Sequence, residues 1–205
     1  MSINHCFLYR ILSDGEYQSH CYLVFPYYEN GTLQSSLRAL NQSLTIDQCL
    51  NYFRSLASAL AYLHTSRGVI HRDIKSTNIL LDQNQSKIYL ADFSLALELP
   101  TVLMEKHFVQ IGTARYMAPE LLEGVIAHTR EALCSVDIYA LALVFWEILR
   151  LCEMYPIATS YQSPYDEYLV NNSEQSTLTS QLYDIVVVRR CRPSLCRVNE
   201  PNTVR

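Results

Sequence analysis

His71-Arg72-Asp73-Ile74-Lys75-Ser76-Thr77-Asn78 decides how this chain is read, because it sets an acid, a cation two residues on and a carboxamide five residues on. Two further stretches follow in order: Asp92-Phe93-Ser94 after the strand-like run 88–91, then Gly112-Thr113-Ala114-Arg115-Tyr116-Met117-Ala118-Pro119-Glu120. Taken singly, an Asp or Asn in a loop is read as making a local turn bond. Three stretches in fixed order restrict many positions at once, and the turn reading does not account for that.

Working outward, residues 46–64 carry apolar side chains at Ile46, Cys49, Leu50, Phe53, Leu56, Ala57, Leu60 and Leu63, the spacing of one buried helical face. Thr45 and Gln48 form a capping box at its start. Residues 79–81 and 88–91 read as short strands around the polar turn 82–86, which brings Asn78 and Asp92 to the ends of one ribbon. Upstream, 7–12 and 17–25 read as a β-hairpin around Ser13-Asp14-Gly15, and Thr32 caps a short helix to Leu40. Downstream, 101–110 lacks a period, 119–122 starts a short helix, 136–151 is the most apolar helix, and 181–189 is a last one.

With 205 residues, 49% of them hydrophobic, and only 7 prolines and 5 glycines, the chain can bury a core of one domain's size. A net charge of -4 without a basic block gives no footprint for nucleic acid. The seven cysteines are scattered without a Cys-x-x-Cys pair and read as reduced thiols. No charged segment followed by an apolar one opens the sequence. The longest apolar run, 138–149, is interrupted by Glu147 and is about half of what a spanning helix needs, so it reads as a core helix.

The residue types suit phosphoryl transfer, which asks a protein to place the nucleophile, hold metal ions and compensate charge. Asp73 can orient a hydroxyl and accept its proton, and Lys75 can neutralise the group in transit. Asn78 and Asp92 are hard oxygen ligands of the kind Mg²⁺ prefers.

On these three motifs the chain resembles the eukaryotic protein kinases. Residues 121–124, 130–133, 136–147, 161–169 and 182–193 look like the type II Ser/Thr kinase receptors for transforming growth factor β, activin and bone morphogenetic protein ligands. The Asp92-Phe93 pair favours type II over the similar type I receptors. The resemblance implies an α+β, protein-kinase-like fold, mostly the helical large lobe (29–193) with a two-strand remnant of the small lobe and hinge (1–28) and an irregular tail (194–205). It implies ATP and Mg²⁺ (or Mn²⁺) as cofactors, and Asp73, Lys75, Asn78 and Asp92 as catalytic residues. Phe25 would be the gatekeeper, the Pro26 carbonyl and Tyr28 amide would meet the adenine edge, and Leu80 would lie beneath the ring. Lys75 and Thr113 are similar to Ser/Thr-specific kinases, so the acceptor is a Ser or Thr hydroxyl, with a type I receptor kinase as protein partner. The parent receptor would sit at the plasma membrane with this region on its cytoplasmic face, anchored by a spanning helix outside these residues.

Arg72 is read either as the partner of a phosphate on the activation segment, at Thr101 or Thr113, or as bonded to local backbone. Glu120 has its family partner, an arginine of a late helix, outside the sequence. No Gly-x-Gly occurs, and no lysine precedes Lys75. The chain thus reads as cut at both ends, and on its own it is expected to bind Mg²⁺-ATP weakly and to transfer no phosphate. Ser94 replaces the family's glycine, where a side chain carries a steric cost if φ is positive. Two alternatives remain: a non-catalytic binding module, and a non-receptor kinase of the tyrosine-kinase-like branch.

Overall fold

A computed structural model describes residues 26–100, 102–154, 160–169 and 177–195, with the backbone of 7–12 and 19–24. Capping threonines start the first two helices. In α1, Leu33–Ala39, the Ser35 N–H donates to Thr32 Oγ1 at 3.1 Å and the Thr32 N–H to Ser35 Oγ at 3.0 Å. In α2, Ile46–Ala61, Thr45 and Gln48 repeat the exchange at 3.2 and 2.9 Å. Each box satisfies two backbone donors that a helix start leaves unpaired. α2 widens into a π turn over Tyr62–Arg67 and stops at Gly68, whose φ of +62° lies in the left-handed region.

The buried face of α2 is rotated from the one read in the sequence. Cys49, Tyr52, Leu56 and Leu60 point inward, while Ile46 is 42% and Leu50 39% exposed and Ala57 faces solvent. Tyr52 decides the rotation: its ring is buried and its hydroxyl donates to the Gln85 carbonyl at 2.8 Å, so an aromatic residue with a polar tip takes the place assigned to aliphatic ones.

The described strands form three two-stranded antiparallel sheets. β1, Phe7–Leu12, pairs with β2, Ser19–Val24, with Phe7 opposite Val24. The hairpin is as expected; its turn lies outside the described residues. β3, Val69–Ile70, pairs with a distant β6, Leu97–Glu98, which two-residue strands do not announce in the sequence. β4, Ile79–Leu81, pairs with β5, Ile88–Leu90, with Ile79 opposite Leu90.

The remaining helices are α3, Pro119–Glu123, α4, Arg130–Leu149, and α5, Leu178–Tyr183, which runs on into a π turn over Asp184–Val188. α4 begins six residues before the expected start because its charged first turn hides the apolar pattern; Thr129 Oγ1 caps it, accepting the Ala132 N–H at 3.1 Å. By length and composition α4 is apolar enough to cross a membrane, yet Leu133, Val136, Leu141, Val144 and Ile148 are buried in the common core with α2, β4 and β5. The α4 end and the α2 start are tied by two backbone bonds at 2.8 Å, Leu44 N–H to the Leu151 carbonyl and Glu153 N–H to the Leu44 carbonyl. Burial and the neighbouring Cys152 thiol push Cys49 up to about 12, which keeps it a thiol; Cys134 and Cys191 are also free.

The rotated face predicts a contrast between two leucines of one helix. Leu56→Ala should cost about 2–5 kcal/mol in urea denaturation and Leu50→Ala clearly less, because only the first leaves a cavity. Equal costs would restore the face read from the sequence.

Candidate active site

β3 delivers the chain into 71–78, and a buried carboxylate holds it there. Asp137, on α4 and 1% exposed, accepts the His71 and Arg72 backbone N–H groups at 2.8 Å each and His64 Nε2 at 2.9 Å. Arg72 thereby adopts a φ of +66°. Gly112 passes so close that a Cβ there would collide with the Arg72 carbonyl oxygen, and its φ of +115° also excludes side chains. The buried His71 ring accepts the Asp73 N–H on Nδ1 at 3.3 Å and donates from Nε2 to the Ala91 carbonyl at 3.1 Å. Both contacts suit the neutral ring, and burial lowers the His71 pKa accordingly.

Asp73 is the centre of a closed cluster. Its Oδ2 meets Lys75 Nζ at 2.7 Å and Asn78 Nδ2 at 2.9 Å. Its Oδ1 accepts the Thr113 hydroxyl at 2.6 Å and the Thr113 N–H at 3.1 Å. Lys75 Nζ closes the triangle on Thr113 Oγ1 at 2.8 Å. Burial raises the Asp73 carboxyl, but the hydrogen bonds from Lys75 and Thr113 outweigh it and hold the group below the usual carboxylate range. A small cavity of about 20 Å³, lined by Asp73, Ile111, Thr113, Tyr116, Val136 and Asp137 among others, lies beside it.

The β4–β5 ribbon brings the second pair together. The Ala91 N–H donates to the Asn78 carbonyl at 2.8 Å, so Asn78 and Asp92 flank one end of the ribbon, as its register requires. Asn78 spends both amide hydrogens on Asp73, bonding its carbonyl and Oδ2 at 2.9 Å each. Its Oδ1 has no partner among the described residues. Asp92 receives the Ser94 hydroxyl at 2.7 Å and the Ser94 N–H at 3.2 Å, both on Oδ1, and its Oδ2 is likewise unengaged. Buried Asn78 and exposed Asp92 thus each keep one hard oxygen unengaged at this end of the ribbon, the ligand type that Mg²⁺ prefers. The bonds from Ser94 lower the Asp92 pKa, so the carboxylate is ionised at neutral pH.

The left-handed residue is Asp92, with φ +60°, and Ser94 lies outside that region. In this arrangement Ser94 therefore meets no such steric cost, and the positive φ falls two residues earlier on Asp92, a residue type that tolerates it.

Of the other sequence candidates, Phe25 and Thr101 lie outside the described residues. Pro26 is exposed, Tyr28 is half-buried with its ring 5.2 Å from that of Tyr89, and Leu80 is half-buried on β4. Arg72 Nε donates to the Leu95 carbonyl at 2.6 Å, which is the local-backbone reading of that residue. Glu120 is half-buried, and its carboxylate has no hydrogen bond or ion pair among the described residues.

The description "protein kinase domain" matches residues 1–188 of the sequence. The chain belongs to the protein kinase family. This kinase domain is similar to human activin receptor type-2A, with 35% identity over 188 residues, covering 85% of this chain and 35% of that protein. Activin receptor type-2B of Xenopus laevis matches at 33% over 186 residues, covering 84% and 35%. Chicken activin receptor type-2A gives 35% identity over the same coverage as the human protein. The kinase domain thus spans about a third of the length of these relatives, and its α+β architecture is that of a protein kinase, mostly helical with small antiparallel sheets.

Two residues that support this kinase site went unread in the sequence. Asp137 and Glu147 are the polar interruptions of the most apolar helix, and that interruption was the available signal. Glu147 is 1% exposed; its Oε1 accepts the Tyr116 hydroxyl at 2.9 Å, the Ser76 hydroxyl at 3.0 Å and the Tyr161 hydroxyl, while its Oε2 has no partner. It fastens the loop at Ser76 to the segment after Gly112. Burial raises its pKa from 4.5 to about 7.

Removing either carboxylate has a separable signature. Asp137→Ala orphans two buried backbone donors and should cost about 3 kcal/mol in chemical denaturation. For Glu147, the folded state holds a proton between pH 4.5 and about 7 that the unfolded chain has released, so stability falls as pH rises through that window. Glu147→Gln removes the dependence, and its unfolding free energy in urea denaturation should gain on the parent's between pH 5 and pH 8, by about 2 kcal/mol. A gap that does not change with pH would mean that the carboxyl ionises normally.

Proposed function

We propose that residues 29–193 form the large lobe of a receptor-type protein serine/threonine kinase, with 1–28 contributing small-lobe strands and the hinge. The observation that carries this reading is the Asp73–Lys75–Thr113 triangle, in which an ionised carboxylate, an ammonium and a hydroxyl meet. In this reading Asp73 orients the acceptor hydroxyl of a Ser or Thr side chain and takes its proton, while Lys75 neutralises charge gathering on the transferred group. Thr113 holds Asp73 and Lys75 in register at the rim where the acceptor peptide enters. Asn78 Oδ1 and Asp92 Oδ2 are the oxygens that would hold Mg²⁺ (or Mn²⁺), which when bound lowers the charge on the nucleotide phosphates. Pro26, Tyr28, Leu80 and Phe25 would receive the adenine of ATP.

The similarity to activin receptors supports a place in a longer single-pass receptor, with the kinase domain on the cytoplasmic face of the plasma membrane and a type I receptor kinase as protein substrate. A second reading is a non-catalytic module that binds partners. The 205 residues contain no Gly-x-Gly and no lysine before Lys75, so the phosphate cover and second cation of a kinase must come from elsewhere.

One assay separates the two readings. With radiolabelled ATP and Mg²⁺, a longer receptor carrying these residues should phosphorylate Ser/Thr in a type I receptor fragment. Asp73→Asn should lower that transfer by about 10²-fold or more without weakening nucleotide binding. Cation-dependent nucleotide binding with no Asp73-dependent transfer would leave the binding module as the answer.

A further inference from the structure

We propose that Tyr161 is a positioning residue for acceptor-peptide binding, tying α1 to the two segments that carry Lys75 and Thr113. This rests on the reading of the Asp73 triangle as a phosphoryl-transfer site given above. Tyr161 is half-buried and reaches the Glu147 carboxylate from residues 160–169, outside the three motifs. Its hydroxyl donates to Glu147 Oε1 and accepts Gln34 Nε2 of α1 at 3.2 Å. A hydroxyl has one proton, and with an amide donating to its oxygen that proton is committed to Glu147. The Arg38 guanidinium lies over the Tyr161 ring, 5.1 Å from its centre, so a second residue of α1 holds the same side chain.

Glu147 Oε1 gathers three hydroxyls, each from a different part of the chain. Ser76 directly follows Lys75. Tyr116 closes a turn on Thr113, its N–H donating to the Thr113 carbonyl at 2.9 Å. Lys75 and Thr113 are also the partners of Asp73, so the two segments are joined twice, at Asp73 and at Glu147. Tyr161 fastens the second junction to α1, whose start is held to β4 by the Leu81 N–H bond to the Gly31 carbonyl at 3.2 Å. Without the Tyr161 hydroxyl this junction keeps two donors and loses its anchor outside the two segments. The rim at Thr113 loosens, while the Asp73 triangle and the residues assigned to the nucleotide keep their contacts. The loss falls on peptide binding.

The charged groups around Glu147 do not take over the task. Arg115 attracts the carboxylate, but its Nη1 is spent on Asp166 at 2.6 Å and on the Pro164 carbonyl. Arg38 faces the tyrosine ring, and Arg150, on the same end of α4, stacks on Trp146 at 5.0 Å. Burial raises the Glu147 pKa, and the Tyr161 bond, which favours the charged form, opposes it.

Tyr161→Phe removes the hydroxyl and keeps the ring, the Arg38 stacking and the Arg115–Asp166 pair. In urea denaturation of the 205-residue chain, the parent's stability falls as pH rises from 4.5 to about 7. Losing a donor to the ionised carboxylate raises the folded-state pKa, so in the variant the fall should continue about one pH unit further, the scale of one hydrogen bond. In a longer receptor carrying these residues, Tyr161→Phe should raise KM for the type I receptor fragment about fivefold and leave kcat and KM for ATP within about twofold. A pH window that ends where the parent's does shows that the hydroxyl does not bond the acid, and overturns the inference. A moved window with an unchanged peptide KM makes the contact structural only and overturns it equally. A parent receptor that transfers no phosphate overturns the phosphoryl-transfer reading, and this inference with it.

Discussion

A single buried carboxylate organises this molecule. Asp137 sits on α4 among apolar side chains and accepts two backbone N–H groups of the 71–72 segment together with the His64 ring. A charge in such surroundings is tolerable only when fully hydrogen-bonded, so the loop has to come to the helix. That requirement places His71 against Ala91, turns Arg72 into the left-handed region, and aims Asp73 at Lys75 and Thr113. The core helix is thus also the platform of the site.

Two lines of polar contact radiate from that platform. One runs through His71 to Ala91 and Asp92, joining the 71–78 loop to the end of the β4–β5 ribbon. The other runs through Ser76 to Glu147 and Tyr116, joining the loop to the segment that carries Thr113. The first passes through the neutral His71 ring, both of whose nitrogens are paired. The second ends on an acid held near neutrality by burial, with one oxygen unpartnered. The loop is therefore fastened rigidly on its ribbon side and through a protonation-sensitive contact on its other side.

The site shows how far local chemistry can depart from a motif's usual residue without losing geometry. A side chain at Ser94 carries a steric cost only where φ is positive, and in this arrangement Ser94 lies outside that region. The strain falls on Asp92, and the serine adds a hydroxyl that organises the carboxylate beside it. Glu120 shows the opposite case: its half-buried carboxylate meets no hydrogen-bond or ion-pair partner among the described residues.

Much of the fold was legible from the sequence because its signals are local. The Thr32 and Thr45 caps and the short strands at 79–81 and 88–90 follow from contacts between near neighbours in the chain, and the α4 core helix from its own apolar content. The order of the three motifs, at fixed spacing, pointed to the kinase family that residues 1–188 match. What the sequence left open depends on partners far along the chain. The rotation of α2 is set by Tyr52 reaching Gln85, the β3–β6 pair joins segments nearly 30 residues apart, and the Asp73 cluster closes only when Thr113 arrives from 40 residues away. Residue identities determined which chemistry was possible; only tertiary structure decided which oxygen each carboxylate has left to offer, because burial and long-range hydrogen bonds assign lone pairs that no local pattern encodes.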